Sequence, residues 1–373
     1  MKVLFCVRHN FHTSPGGAQI QILKTISELK KLGCECDLTT DPRGCNLSQY
    51  DLVNLTDLTW IYDLLKYIEL FKPLKIPMVL TTIYWPLDDY SRNAAPFFQR
   101  MIFRLLGING VEMGKAFYKL LRQRNGIYWQ GIFHSYIGSQ RKIVTSVDWM
   151  LPNSQLEQQA MNERLHTDLN NYSVVNNALD LTVFNRVKGT VSVQRDNNLL
   201  LCVGRIDPRK NQLGLLRAVY DLPYRVCFIG QAGPNSAYYY RRLRKLGEKR
   251  GNTEFVSQIP QEKVFEYMLA AKAHALPSWV ETPGLVSLEA YYAGCNIVVA
   301  EKGSVREYFH DSAYYCDPAD IASIRTAVQK AMEEPYSGRL RPVIEEKYSW
   351  EFAAKQTLDA YKQVLARCGK GDR

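Results

Sequence analysis

The chain has 373 residues, 46% of them hydrophobic, which is enough for two domains that each bury a core. Its formal net charge of +10 at pH 7 keeps two anionic partners, a membrane surface and a nucleic acid, under consideration. The nine cysteines are scattered without C-x-x-C spacing, so they predict reduced core thiols and exclude a disulfide framework or a zinc site.

Signals for secretion or membrane insertion are weak. The apolar run at residues 3–7 is too short for a signal peptide, and no stretch approaches the ~20 apolar residues of a membrane-spanning helix. We therefore expect a cytoplasmic protein that is either soluble or peripheral at the cytosolic face of a membrane.

Strand and helix patterns alternate along the first part of the chain. Apolar positions across residues 22–32 predict a helix that ends at Gly33, and residues 62–71 predict another. Asn153 and Ser154 predict the cap of a helix that begins at Gln155. Short apolar runs predict buried strands at residues 2–7, 36–40, 52–55, 78–82 and 148–151.

Residues 97–142 interrupt the alternation and predict a basic helical insert. Basic residues beside aromatic and aliphatic ones favour an anionic membrane surface, where each cation contributes about 1 kcal/mol. The alternative is a solvated cationic face over ordinary core packing. The apolar positions are Phe97, Phe98, Met101, Ile102, Leu105, Leu106, Phe117, Tyr118, Leu120 and Leu121. The charged ones are Arg100, Arg104, Lys115, Lys119, Arg122, Arg124, Arg141 and Lys142 against the single acid Glu112.

The alternation restarts at Leu199 and continues through the second half. Strands are predicted near residues 225–229, 254–256, 273–276 and 296–300. Between the last two, Gly284 predicts a turn and residues 285–293 a helix that ends at Gly294. Such alternation predicts a parallel sheet with helices on both faces, formed twice along the chain.

Two acids, Glu281 and Glu289, stand eight positions apart in the last of these βαβ units. In such a unit a ligand binds outside the carboxyl ends of the strands, where the helix N-terminus offers N–H groups to an anion. We therefore expect Glu281 at the lip of a phosphate site. Glu289 can point into the same crevice, where a carboxylate suits two neighbouring sugar hydroxyls. The alternative is a helix N-terminal acid and a solvent-facing acid without a ligand.

The spacing of Glu281 and Glu289 resembles the signature of the retaining glycosyltransferases of family 4. Residues 199–212 resemble that family's strand-loop-helix, in which Arg205 and Lys210 would meet the donor diphosphate; a cation-rich surface loop is the alternative. Residues 14–19 are similar to its glycine loop, residues 177–184 to the segment that joins its domains, and residues 348–351 to the start of its final helix. The resemblance covers about residues 1–365.

The resemblance implies an α/β chain with the GT-B fold, in which two Rossmann-like, doubly wound domains face a central cleft. Residues 1–182 would form an N-terminal acceptor-binding domain that includes the insert. Residues 183–348 would form the domain that binds the nucleotide sugar. Residues 349–373 would form a helix that returns to the N-terminal domain.

The activity implied is transfer of a hexose-type sugar, with retention, from a UDP- or GDP-linked donor. The acceptor would be a sugar hydroxyl on a lipid-linked or cell-surface glycan precursor. Glu281, Arg205 and Lys210 would be catalytic, with Glu281 on the hydroxyls of the donor sugar and Glu289 on the ribose. The donor-binding residues implied are Gly16, Gly17, Gly204, Arg205, Lys210, Ile259, Glu281, Thr282, Pro283, Gly284, Leu285, Val286 and Glu289.

The acceptor side departs from the family pattern. Many members carry a histidine after the strand that matches residues 78–82, where this chain has Ile83 and Tyr84. The resemblance therefore names no residue that assists deprotonation of the acceptor. An aromatic ring stacks on a sugar and a carboxylate binds its hydroxyls, so the acceptor groove is predicted to include Tyr84, Trp85, Asp88 and Asp89.

No Asp-x-Asp pair occurs in the sequence, so we predict a transfer that needs neither a metal nor another cofactor. Two other functions stay open. A nicotinamide-dependent oxidoreductase would also have nucleotide-type domains, but residues 16–19 lack the G-x-G-x-x-G spacing. A nucleic-acid-binding protein would suit a pI near 9.0, but no known binding module is present, so no nucleic-acid partner is expected.

Overall fold

The computed structural model of the chain describes residues 1–13, 16–123, 129, 134–233 and 235–369. The chain divides into two compact units, the first comprising Met1–Asp88, Phe97–Ala178 and Trp350–Arg373, and the second Asp89–Pro96 and Leu179–Ser349. The expected division had boundaries at residues 182 and 348 and kept residues 89–96 in the N-terminal domain. The observed one differs because Asp89–Pro96 belongs to the second unit, where Asp89 forms an ion pair with Lys302 at 2.7 Å.

The first unit is built on a parallel sheet of five strands in the order β2-β1-β3-β4-β5. All five side chains of β3 are buried, as expected for a strand covered on both faces. From β1 the chain moves to β2 on one side, and from β3 to β4 on the other. The strands are β1 (Lys2–Cys6), β2 (Glu35–Thr39), β3 (Leu52–Thr56), β4 (Met78–Thr81) and β5 (Trp149–Leu151).

Among the described residues, the first half of the chain has six α-helices. Ser154 caps the last of them as predicted, because its Oγ accepts a hydrogen bond from the Glu157 backbone N–H at 2.9 Å. The predicted insert is helical and changes direction at Gly107, whose φ is 63°. Its residues 124–128 and 130–133, with Arg124, lie outside the described residues. The helices are α1 (Gly17–Lys31), α2 (Ile61–Phe71), α3 (Asp88–Asn93), α4 (Phe97–Gln123), α5 (Tyr136–Val144) and α6 (Gln155–Leu165).

The second unit contains a parallel sheet of six strands in the order β11-β10-β9-β6-β7-β8. The chain moves from β6 outward to β7 and β8, and from β9 outward to β10 and β11, in the opposite direction. The switch point of this sheet therefore lies between β6 and β9. The strands are β6 (Asp196–Val203), β7 (Arg225–Ile229), β8 (Thr253–Val256), β9 (Ala271–Leu276), β10 (Asn296–Ala300) and β11 (Tyr314–Cys316).

Helices flank this sheet, and the last helix of the chain returns to the first unit. That helix, α15, packs Trp350 and Tyr361 into the same apolar cluster as Val3 and Ile22, which confirms the predicted return. The helices are α7 (Leu181–Thr190), α8 (Gln212–Ala218), α9 (Ala237–Arg250), α10 (Gln261–Ala270), α11 (Leu285–Ala293), α12 (Val305–Phe309), α13 (Ile321–Glu333), α14 (Arg341–Lys347) and α15 (Trp350–Arg367).

The cysteines are free thiols, and all except Cys45 and Cys368 are buried, as their scattered positions predict. Within the described part of the chain, no helix combines the length and the hydrophobicity needed to cross a membrane.

Candidate functional site

The candidate site lies at the switch point of the second sheet. Crevices for ligands form outside the carboxyl ends of parallel strands at such points, because the connections leave in opposite directions. Here β6 ends at Val203 and continues into Gly204 and Arg205. The neighbouring β9 ends at Leu276, and the chain then passes through residues 277–284 into α11. Two of the three predicted catalytic residues come from the first of these connections and one from the second.

Lys210 and Glu281 meet across this switch point. The Lys210 Nζ lies 2.6 Å from Glu281 Oε2 and 3.0 Å from Oε1, and each side chain is only 15% exposed. An ion pair that is largely removed from water interacts more strongly than a surface pair. The structure thus brings together the two residues that the family resemblance assigned to the diphosphate and to the donor sugar.

Arg205 is held by Asp207, a residue that the sequence reasoning missed. The Arg205 Nε donates to Asp207 Oδ2 at 2.8 Å. The other oxygen, Oδ1, accepts hydrogen bonds from the backbone N–H groups of Arg209 at 2.9 Å and Lys210 at 3.2 Å. One buried carboxylate therefore orients both the first cation and the turn that carries the second. An Asp-Pro pair before a short helical turn is a recognisable signal for such a cap.

A glycine from the next connection supports the backbone of Glu281. The Glu281 carbonyl accepts a hydrogen bond from the Ser304 N–H at 3.2 Å. Gly303 has φ of +85°, and a Cβ built there would lie 1.8 Å from the Glu281 carbonyl oxygen. Only glycine permits this approach, so the loop after β10 fixes where Glu281 stands.

The N-terminus of α11 lies directly after Glu281. Thr282 and Pro283 are joined by a cis peptide bond, and Gly284 occupies the N-cap. Leu285 and Val286 form the first positions of the helix, where backbone N–H groups have no intrahelical acceptor. The five predicted donor-binding residues from Thr282 to Val286 are therefore placed where the helix can receive an anion.

Glu289 lies one turn further along α11 and is half-buried. Its Oε1 accepts a hydrogen bond from Gln261 Nε2 at 3.2 Å. Burial raises the pKa of this carboxyl to about 7, the hydrogen bond from Gln261 opposes the rise, and the charge of Asp180 adds to it. Ile259, the other predicted donor residue of this unit, follows β8 and packs half-buried against the apolar core.

The remaining predicted residues belong to the first unit, except Asp89. Gly16 and Gly17 begin α1 in the first unit, next to Ser14 and Pro15, which lie outside the described residues.

Of the predicted acceptor residues, Tyr84 is only 4% exposed and packs in the core of the first unit, so its ring offers little surface for stacking. Trp85 is half-buried. Asp88 is paired with Arg164 at 2.8 Å, whereas Asp89 belongs to the second unit.

Glu157 is a second residue that sequence reasoning missed. It is fully buried and binds the segment after β4, where it accepts hydrogen bonds from the Thr82 hydroxyl and from the Tyr84 N–H at 2.9 Å. The Asn153 N–H donates to its other oxygen at 3.0 Å. Burial raises the pKa of Glu157 to about 7 in spite of these donors. The pattern Ser154-x-x-Glu157 is that of a capping box and could have indicated the residue.

A cavity of about 430 Å³ opens beside the ends of β1 and β2 in the first unit. His9 and Asp63 line it, and their side chains are 2.9 Å apart. The sequence analysis assigned His9 no role, and the pair could not be read from positions 54 residues apart.

Part of the chain is similar to known proteins. Residues 186–350 match the family Glycosyl transferases group 1. The D-inositol 3-phosphate glycosyltransferase of Nocardioides sp. is 27% identical over 256 residues, which cover 61% of this chain and 56% of that protein. The O-antigen chain mannosyltransferase B of Escherichia coli is 28% identical over 172 residues, with coverage of 43% and 45%. The chain thus spans about half the length of the curated relatives it matches.

Solved structures share the fold over nearly the whole chain. Sucrose-phosphate synthase from Thermosynechococcus elongatus has a TM-score of 0.75 at 17% identity, and the match covers 98% of this chain and 100% of that one. HepE of Anabaena in complex with UDP has a TM-score of 0.67 at 14% identity, with coverage of 97% and 100%. Likeness at these identities shows the fold alone. Residues 186–350 are therefore similar to the group 1 glycosyltransferases, and the chain shares the GT-B fold of these solved structures.

Proposed function

We propose that the protein transfers a hexose-type sugar, with retention and without a metal, from a UDP- or GDP-linked donor to a sugar hydroxyl. The observation that carries the proposal is the pairing of Lys210 with Glu281 at the switch point, directly before the N-terminus of α11. A helix N-terminus that can bind a phosphate thereby lies next to a carboxylate that can accept hydrogen bonds from sugar hydroxyls, and a nucleotide sugar requires both. The complex of Anabaena HepE with UDP supports a nucleotide donor.

The chemistry needs stabilisation of a departing diphosphate. Arg205, Lys210 and the positive end of the α11 dipole supply it without a metal, and the sequence has no Asp-x-Asp pair to bind one. The bond from the anomeric carbon to the phosphate oxygen breaks, and a bond to the acceptor oxygen forms on the same face of the sugar. The leaving phosphate receives the acceptor proton. Glu281 holds hydroxyls of the donor sugar, and Glu289 holds the ribose.

The names of the relatives support a glycan or glycolipid acceptor. One relative is named for an inositol phosphate acceptor and the other for the O-antigen chain. We infer that the acceptor sugar belongs to a lipid-linked or cell-surface precursor at the cytosolic face of a membrane. An enzyme that meets such an acceptor gains from a surface that binds the lipid.

The insert has an exposed apolar surface that supports this proposal. Phe103, Ile108 and Val111 of α4 form a small buried cluster, so this side of the helix faces the protein. The opposite side is apolar but exposed, with Phe98 at 72% and Leu105 at 76%. We call the exposed side chains of α4, before and after the change of direction at Gly107, the insert face. Its apolar members are Phe97, Phe98, Met101, Leu105, Leu106, Met113, Phe117, Tyr118 and Leu121, and its exposed cations are Arg104 and Arg122.

The other cations of the insert are not equally available. Lys115 is paired with Glu112 at 2.7 Å, and Arg100 is half-buried. The Lys119 ammonium lies 5.0 Å from the centre of the Trp60 ring, and burial lowers its pKa. The insert face therefore has fewer cations than the sequence count suggests, and insertion of its apolar side chains carries more of the proposed membrane binding.

The donor assignment is tested with nucleotides and four proteins. UDP or GDP should raise the melting temperature, because a ligand at 100 times its Kd adds about 2.7 kcal/mol of stability. Arg205→Ala and Lys210→Ala should each slow transfer from UDP- or GDP-hexoses by about 100-fold, the usual loss for one charge-stabilising group. Arg209→Ala is the matched control, since it removes a cation from the same turn and should change the rate by less than about threefold.

The same assay tests metal independence. Transfer should continue in excess EDTA, and a strict requirement for Mg²⁺ or Mn²⁺ would show that the two cations and the helix are insufficient. Equal rates for all three alanine variants would remove the diphosphate role from Arg205 and Lys210.

A further inference from the structure

His274 is a buried residue that the proposed mechanism does not use. It is the fourth residue of β9, is 0% exposed and lies opposite Leu201 of β6. The register of β6 against β9 ends at this pair. His274 therefore stands where the two strands of the switch point stop pairing and the crevice begins.

Beyond this pair, the His274 ring accepts a hydrogen bond from the backbone of β6. The Val203 N–H donates to His274 Nε2 at 3.3 Å, whereas the next residue, Gly204, donates its N–H to Ile229 of β7. Because Nε2 accepts, the ring proton is on Nδ1, which lies 3.4 Å from Ser287 Oγ. The ring is thus held in one tautomer and reaches from β6 to α11.

Both hydrogen-bond partners of His274 lie beside the residues that we propose to bind the donor. Val203 immediately precedes Gly204 and Arg205, and Ser287 lies in the first turn of α11. The ring links the two connections that carry the predicted diphosphate and sugar contacts, in addition to the Lys210–Glu281 ion pair. Burial and the charge of Lys210 lower the pKa of His274 to about 3, so the ring stays neutral and does not add a charge to the site.

We propose that His274 is a positioning residue that sets the spacing between the Arg205 loop and the N-terminal turn of α11, and so the strength of nucleoside diphosphate binding. This inference rests on the proposed function. His274 acts through Val203 and Ser287 and does not touch the donor.

Isothermal titration with UDP, or with GDP if the parent binds it more tightly, tests the inference. His274→Leu keeps a buried apolar side chain but leaves the Val203 N–H without its acceptor, so binding should weaken by about tenfold or more. In His274→Gln the amide oxygen can accept from Val203, and binding should stay within about threefold of the parent. Ser287→Ala leaves the His274 Nδ1–H without its partner and should weaken binding by about threefold.

The order of the variants separates positioning from packing. If His274 only filled space, leucine would be tolerated better than glutamine in an apolar core, and the order of affinities would reverse. Binding by His274→Leu within about twofold of the parent would overturn the inference. If His274→Leu does not fold, the comparison of His274→Gln and Ser287→Ala with the parent decides, and unchanged affinity of Ser287→Ala would then overturn it. A parent that binds neither UDP nor GDP would instead overturn the proposed function.

Discussion

At the scale of single residues, the charged side chains of the candidate site are paired with one another. Lys210 and Glu281 neutralise each other at 2.6 Å, and Asp207 neutralises Arg205 at 2.8 Å. Lys210 and Glu281 are each only 15% exposed, and their pairing avoids the desolvation cost of an unpaired ion. In our proposal the donor diphosphate competes with Glu281 for Lys210. The carboxylate is then released toward the sugar hydroxyls at the moment when the phosphate arrives.

The pKa of Glu289 makes nucleotide binding depend on pH. A carboxylate accepts hydrogen bonds from two ribose hydroxyls only when it is ionised, and burial raises this pKa to about 7. UDP affinity should therefore fall by up to about tenfold per pH unit below 7 and level off above it. Titration of the parent with UDP from pH 5.5 to pH 8.5 measures the slope. Glu289→Gln is the control, because it retains the titration of the phosphate and lacks that of the carboxyl.

The contribution of Glu289 to stability should change with pH in the opposite direction to its contribution to UDP affinity, and the parent and Glu289→Gln also test this. Because the folded pKa of Glu289 lies above the ordinary value of 4.5, ionisation of this group lowers the stability of the fold as the pH rises from about 4.5 to about 7, and the loss levels off at higher pH. The melting temperature of Glu289→Gln, relative to that of the parent, should therefore be higher at pH 8 than at pH 5. A parallel pH dependence of UDP affinity in the two proteins would remove the ribose role from Glu289.

Site residues that belong to a local sequence motif could be predicted from the sequence. Residues whose role depends on a contact with a distant part of the chain could not. The spacing of Arg205, Lys210 and Glu281 placed them on two connections that parallel sheets bring together. His274 could not be found, because its partner Val203 is 71 positions away and the link is a single hydrogen bond. The buried Tyr84 shows the converse, since an aromatic residue after a strand fits a core as well as an acceptor groove.

At the scale of elements, the position of Glu281 depends on a loop that never touches the ligand in our proposal. A methyl group at Gly303 would stand 1.8 Å from the Glu281 carbonyl oxygen, so Gly303→Ala must displace the backbone of Glu281. We expect transfer to fall by about 100-fold, as for removal of a positioned group in an active site. The rate of sugar transfer from the donor identified above is the measurement.

Gly338→Ala is the matched control for this prediction. Gly338 also has a positive φ, +66°, but a Cβ there would meet only Tyr336 Cε1 at 3.5 Å. Both variants carry the backbone strain of alanine at positive φ, which costs about 1 kcal/mol, and only Gly303→Ala carries the clash. Similar transfer rates for the two variants would show that the close contact between Gly303 and the Glu281 carbonyl does not affect activity.

Most elements could be predicted because apolar runs and helix ends are local signals. The predicted strands in both sheets and the helix of residues 285–293 are confirmed. The edge strand β11 has only three residues, too few to show a pattern. The placement of Asp89–Pro96 in the second unit was also not predictable, because it depends on contacts such as that of Asp89 with Lys302, 213 positions away.

At the scale of the whole molecule, the net charge of +10 is less informative than where the exposed apolar side chains lie. Soluble proteins rarely expose a contiguous apolar patch, and such a patch usually marks a partner or a membrane. The insert face belongs to the first unit, and the residues that we propose to bind the donor nucleotide belong to the second. Changes to the insert face should therefore separate membrane binding from nucleotide binding.

Sedimentation with anionic vesicles tests the insert face. Phe98→Ser with Leu105→Ser should reduce the vesicle-bound fraction by about tenfold or more, because burial of these side chains contributes ~25 cal/mol per Å². Arg104→Glu with Arg122→Glu should reduce it by a similar factor and should remove its salt dependence, since each cation near the surface contributes about 1 kcal/mol. Arg241→Glu with Lys245→Glu, on the exposed side of α9, is the control of equal charge and should bind nearly as the parent does. UDP or GDP affinity should be unchanged in all three double variants.

A parent that stays in the supernatant with anionic vesicles at low salt would refute membrane binding. Self-association of the parent through the insert face would then be measured by analytical ultracentrifugation.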